Sequence, residues 1–253
     1  MRHLRFLRDL SRAERALREG DHQRARTILA PLLEMYGNVA VVQRAAGRAL
    51  YELGDPLSAA SLLERAARSY ADDVELTATL VASYAALNRG GDARRAAAIA
   101  PKQADVRLAL AWSELVALGG DRAAGADIVG ELASRSDVRS EPARRAMLRT
   151  LAAIAAAHAG DASSADAALA DARADRAALP AYERAFLGYL EGLALRELGR
   201  ARDADMAWES AMEEAPGTIG EALARREHAN AAARLVAHSP SSSQPSAEPR
   251  SSA

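Results

Sequence analysis

The chain has no cysteine among its 253 residues. That removes disulfides, thiolate nucleophiles and cysteine-held metal centres, and it fits a reducing compartment. Aromatic residues make up only 4% of the chain, β-branched residues are sparse, and no period-two run lies between turn residues. A β-sheet has little to build on here. Lysine occurs once, at Lys102; arginine carries the remaining basic charge. Neither sign dominates: 33 basic side chains face 34 acidic ones, so no global field draws the protein to nucleic acid or anionic lipid. No stretch of 18 apolar residues runs uninterrupted by charge, so no membrane span is expected. The start, Met1–Leu10, alternates charged with apolar residues and lacks the apolar core of a secretory signal. These absences predict a cytoplasmic protein, and the arginine and alanine bias points to a GC-rich bacterial genome.

What the chain does have is helix-forming sequence. Alanine, leucine, arginine and glutamate dominate, and all four favour helix. Helices are predicted at 4–19, 22–35, 39–53, 56–70, 73–87, 92–100, 104–118, 121–134, 141–158, 162–176, 181–198, 201–214 and 218–237. Between them a dipeptide recurs: Gly20-Asp21, Gly54-Asp55, Gly91-Asp92, Gly120-Asp121 and Gly160-Asp161, with Gly199 in the same place once more. Glycine can end a helix in the left-handed conformation. Aspartate can then cap the next helix by accepting from its free N–H groups. The glycines are 34, 37, 29, 40 and 39 residues apart, room for about two helices of three to four turns in each interval. Such a period marks a helix-pair solenoid. Around residues 88–103 the period slips, and a kink or a change of curvature is expected there. After residue 238 the Ser/Pro-rich tail 239–253 cannot form a packed core and is expected to be disordered.

Aligned on the turn glycine, the segments share a second pattern. Residues 185–216 place Gly192, Leu195, Gly199, Ala204, Trp208, Ala211 and Pro216 at fixed offsets. Residues 40–71 place Gly47, Leu50, Gly54, Ala59, Leu63 and Ala66 at the same ones. On these residues, with Ala13, Ala16, Ala25 and Leu29 in the first unit and Ala153, Ala165 and Leu169 in the fifth, the chain resembles tetratricopeptide-repeat proteins over about residues 4–237. Small residues stand where paired helices cross, and bulky ones fill the space between pairs. The resemblance implies an all-α, right-handed α-solenoid of about six helical hairpins over 1–238. A last helix, 218–237, would cap the stack, with Ile219, Leu223 and Val236 inward and Arg225, Arg226, Glu227 and Arg234 on a wet face.

Catalytic chemistry finds no footing. The chain lacks Gly-x-x-x-x-Gly-Lys, Gly-x-Ser-x-Gly and His-Glu-x-x-His. The five histidines are scattered with no i+3 or i+4 pairs, and adjacent carboxylates such as Glu213-Glu214 face different sides of a helix. No catalytic residue, metal or cofactor is expected. The resemblance points instead to a concave groove lined by the first helix of each pair. It assigns Glu14 and Arg18 in the first unit, Arg44, Arg48, Tyr51 and Glu52 in the second, and Tyr189, Leu193 and Arg196 in the sixth. Arg44 and Arg48, four apart on one helix face, could grip a carboxylate of a bound peptide; the plainer reading pairs them with local glutamates such as Glu52. The lysine and asparagine clamp by which the family holds chaperone carboxylates is missing. The expected function is a protein-protein interaction scaffold, non-enzymatic, holding a partner segment within a larger bacterial assembly. The alternatives are a structural subunit of a secretion or motility apparatus docking by its ends or convex face, and a peptide-sensing regulatory module. Protein or peptide partners are expected, not nucleic acid or membrane; a homo-oligomer stays open.

Overall fold

The structure, a computed structural model, describes residues 2–238, with side chains described for 6–17 and 19–233. The tail 239–253, expected to be disordered, lies outside the described residues. Every element among the described residues is helical. Helix α1 (Arg2–Arg18) pairs with α2 (His22–Tyr36), α3 (Ala40–Glu52) with α4 (Pro56–Ala67), and α5 (Val74–Ala86) with α6 (Gly90–Ala97). Helix α7 (Ala104–Val116) pairs with α8 (Arg122–Ala133), and a single turn, α9 (Ser136–Arg139), follows. Then α10 (Pro142–His158) pairs with α11 (Ala162–Arg176), α12 (Ala181–Glu197) with α13 (Ala201–Glu214), and α14 (Ile219–His238) packs on α12 and α13. Six hairpins and a final helix match the expected α-solenoid. The addition is α9, too short to show a hydrophobic period and held by the buried Val138.

The turn chemistry explains the spacing. Gly20, Gly54, Gly160 and Gly199 take φ between +74° and +78°. Asp21, Asp55 and Asp161 each accept, at 3.0 Å, from the backbone N–H three residues on; such a cap is worth about 1 kcal/mol. Two punctuation marks sit elsewhere than expected. At the fourth turn Gly119, not Gly120, is left-handed (φ +73°), while Asp121 still caps α8. At the third, Gly91-Asp92 lies inside α6 and Asn88 takes the left-handed position at φ +58°. Asparagine tolerates that region better than most residues because its side chain is short and polar. Around 88–103 the packing changes: α3 touches α5 only sparsely, whereas α5 packs directly along α7 and α6 packs on both.

Helix crossings depend on small residues, as the offsets imply. A β-carbon at Gly47 would stand 2.7 Å from Leu63 Cγ. One at Gly192 would collide with the Trp208 indole. Trp208 is fully enclosed, and its Nε1–H donates to the Tyr189 carbonyl at 3.1 Å.

The solenoid curls until its end meets its beginning. The Arg226 guanidinium in α14 donates to the carbonyl of Ala86, at the end of α5, at 2.8 Å. Gly54, in the α3–α4 turn, lies so near α14 that a β-carbon there would come within 3.0 Å of Ala222 Cβ. The His22 and Tyr182 rings meet edge-on, 5.6 Å between centroids. This corrects two expectations. The inner wall is not an open groove along its whole length, and α14 is more than a terminal cap. Gly220, Ala222 and Ala224 thin its flank, so it approaches α12 and the α3–α4 turn closely. Its Arg226 and Glu227, expected on a wet face, bind Ala86 and Arg196 instead. Arg225 does face solvent, beside Glu221. The side chains of Arg234 and Val236 lie outside the described residues.

Candidate functional site

Two concavities lie on the inner side of the solenoid. The first is a shallow groove of about 170 Å³ between α1, α3 and α5, with Glu14 and Leu17 on one side and Asp73, Glu75, Leu76 and Thr79 on the other. Arg44 and Arg48 form its middle. It exists because α1 and α3, and α3 and α5, touch only sparsely along their inner faces.

Both arginines are already engaged. Arg44 Nη1 donates to Asp73 at 2.7 Å, and its guanidinium stands 5.4 Å from the centroid of the Tyr70 ring. Arg48 Nε donates to Glu52 at 3.0 Å, and Nη1 donates to Glu75. Burial works against the Arg48 charge, but Glu52 and Glu75 together hold its pKa above the ordinary guanidinium value. The plainer reading, pairing with local carboxylates, is therefore correct for Glu52, and two further pairs reach across to the next hairpin. Each Arg fork still has roughly two-fifths of its side chain open to solvent. A pair exposed to this degree contributes little to stability, so either fork can be released at small cost.

The second concavity is a wider cavity of about 370 Å³ on the solenoid axis, open on one side and bordered by α3, α5, α7, α10, α12 and the first residue of α14. Its wall is mostly apolar, from Leu108, Trp112, Met147, Phe186, Leu187 and Ile219, with Trp112 and Phe186 edge-to-face at 5.0 Å. Five carboxylates border it: Glu52, Glu75, Asp105, Glu141 and Glu183. Only two guanidinium groups do so, and both are committed: Arg48 as described, and Arg144, which grips Asp105 with two bonds of 2.7 and 2.8 Å. Glu141 caps α10. Glu183 differs from the rest. Its Oε1 accepts from the Tyr182 hydroxyl at 2.8 Å, while its buried Oε2 has no hydrogen-bond partner. Burial raises its pKa above the ordinary 4.5; the Tyr182 bond opposes this, and the nearby Glu141 and Glu52 reinforce it.

The predicted groove residues thus separate. Glu14, Arg44, Arg48 and Glu52 gather in the first three hairpins, and Tyr51 beside them borders the axial cavity. Burial holds the Tyr51 hydroxyl well above the ordinary phenol pKa, with Tyr189 and Glu52 adding to the effect. The Arg18 side chain lies outside the described residues. In the sixth hairpin the expectation fails. Tyr189 and Leu193 are 1% and 2% exposed, in the core shared with α14, and Arg196 is bound to Glu227 of α14 at 2.6 Å. These three face the protein's own last helix. The cavity residues Trp112, Tyr182, Glu183 and Phe186 went unselected, although three of the chain's few aromatics cluster at 182–189.

The geometry is that of a tetratricopeptide-type α-solenoid, and a solved structure agrees. TTC0263, a thermophilic tetratricopeptide protein of Thermus thermophilus, superposes with a TM-score of 0.54 at 19% identity. The match covers 77% of this chain and all of that one. The tetratricopeptide domain of P58(IPK) covers 94% of this chain and 67% of its own at 14% identity, with a TM-score of 0.36. No family model matches the sequence, and no curated protein matches it. No described helix is long and apolar enough to cross a membrane.

Proposed function

We propose that this protein is a non-enzymatic interaction scaffold that holds an acidic partner segment against the inner wall of its first three hairpins. The observation that carries this reading is the contrast along the inner wall: between α1, α3 and α5 a groove presents two partly exposed arginine forks, whereas the corresponding residues of the sixth hairpin are buried or held by α14. A carboxylate from a partner would replace Asp73 or Glu75 on Arg44 or Arg48, and Leu17 and Leu76 would supply apolar contact. Charge sets the register of such a segment; buried apolar anchors supply most of the affinity.

A photo-crosslinking amino acid at Thr79 on the inner wall, compared with one at the exposed Ser163 of α11, tests this in cells. The reading requires one polypeptide to be captured from Thr79 and lost in the Arg44→Ala/Arg48→Ala double variant. Capture from Ser163 alone would move the interface to the outer face. A second reading, docking through the solenoid's first end, draws on the exposed Met35 and Leu7 and on the hollow that Ile28, Pro31 and Met35 line there. Loss of an assembly on Met35→Glu, with the inner-wall variant intact, would favour it.

A further inference from the structure

We propose that the axial cavity binds a small organic cation: an amine carried on an aromatic or aliphatic body. The cavity adjoins the inner-wall groove and shares Arg48, Glu75 and Thr79 with it, but the ligand is of a different class and is tested separately. Size comes first. About 370 Å³ lies within the range of small-molecule sites, roughly 300–1,000 Å³. Ile219, the first residue of α14, and α12 beside it form one side of the cavity. The apolar wall sets the ligand's body. Trp112 and Phe186 stand edge-to-face, and such aromatic pairs accept a further ring or an alkyl chain against their faces.

The charge around the cavity sets the ligand's head group. Five carboxylates border the cavity against two guanidinium groups, each already bound within the protein. Glu183 makes no ion pair among the described residues, has one oxygen without a hydrogen-bond partner, and lies near two more acids. A half-buried carboxylate lacking a counter-ion is unfavourable unless it is protonated or a cation arrives. An ammonium group in the cavity supplies that charge, and aromatic faces within reach of a cation add to the attraction. Apolar anions, fatty acids among them, meet repulsion from the same groups.

Calorimetric titration of the full chain with phenethylamine, 2-phenylethanol and 3-phenylpropionate separates shape from charge. Phenethylamine is expected to bind at least about tenfold more tightly than the alcohol, and the carboxylate not measurably. Glu183→Gln is expected to bring the amine down to the level of the alcohol, with circular dichroism confirming an unchanged fold. The proposal is overturned by equal binding of the three probes, by no binding of the amine, or by an amine preference that survives Glu183→Gln. Tighter binding of Nα-acetyl-lysine methylamide than of phenethylamine would overturn the small-ligand assignment and give the cavity to a partner's lysine.

Discussion

The first three hairpins and the last three use the same repeat to opposite ends. Up to α5 the inner helices stand apart, their facing side chains are charged, and a groove remains between them. From α5 onward the inner helices pack directly, and one continuous apolar cluster runs from Ala85 through Trp112, Tyr189 and Trp208 to Leu223. The first two hairpins have their own cluster, built on Leu10, Leu29 and Leu32, with Phe6 against Tyr36 as its aromatic contact. Each half holds five aromatic residues, but both tryptophans lie in the second. Trp208 locks α13 onto α12 at Gly192 inside the sixth hairpin, and Leu63 takes the equivalent place against Gly47 in the second; between hairpins, Trp112 and Tyr189 belong to the continuous cluster of the later half. One half therefore has a surface to offer, and the other has spent its inner wall on folding.

Truncation should reveal this contrast most strongly at the locking residues. Trp208→Ala is expected to destabilise by about 3–5 kcal/mol and to lower the denaturation midpoint of the whole α5–α14 block, followed by circular dichroism in urea. Leu29→Ala, equally buried, is expected to cost about 2–4 kcal/mol and to melt mainly the first two hairpins, because solenoid stability is summed over neighbours. A single shared transition in both variants would mean that the two regions do not differ in cooperativity.

Ring closure gives the next effect in size. Arg226→Ala removes a charge-assisted bond to Ala86 and leaves that carbonyl unpaired, a loss of about 1–2 kcal/mol. Small-angle scattering should show the radius of gyration increase as α14 lifts from the α5 end. An unchanged radius would show that Gly54 and Ala222 hold the ring shut without it.

How far the sequence reveals all this depends on the range of each interaction. Turns and crossings are local: Asp21, Asp55, Asp161, Gly47 and Gly192 are readable because each acts on residues a few positions or one helix away. The third turn is less so, since Asn88 supplies the left-handed residue three positions before the expected Gly91. The fate of the groove was not legible. It hinges on contacts such as Arg226 with Ala86, 140 residues apart, and no period in the sequence encodes the total curvature that brings them together. Tyr189 and Leu193 occupy the right repeat positions, and a helix that comes later in the chain covers them.

At the open end, stability and binding should separate. Arg44→Ala and Arg48→Ala each remove a pair that is partly exposed, so each is expected to cost no more than about 1 kcal/mol. Asp73 keeps its capping bond to the Leu76 N–H in either case. Partner capture through Thr79 should nevertheless vanish in the double variant. The mirror experiment, Arg196→Ala, should affect stability through Glu227 and leave capture unchanged. The reverse outcome would place the working surface in the region that α14 covers.

The smallest effect concerns Glu183, and its sign is informative. An acid whose pKa is raised on folding favours the folded state while protonated. That contribution is complete below the ordinary glutamate value of 4.5 and is lost as pH rises through the raised one. At neutral pH the ionised carboxylate is therefore a net burden, because burial outweighs the Tyr182 bond. Glu183→Gln should raise the urea midpoint at pH 8, and the gain over the unmodified chain should shrink to nothing near pH 4. No gain in stability is expected from Glu52→Gln or Glu75→Gln, since each takes a carboxylate partner from Arg48. Saturating phenethylamine should narrow the gap at pH 8 by stabilising only the chain that retains the acid. A gap that ignores the amine would leave Glu183 as an unfavourable core residue and deny the cavity its cation.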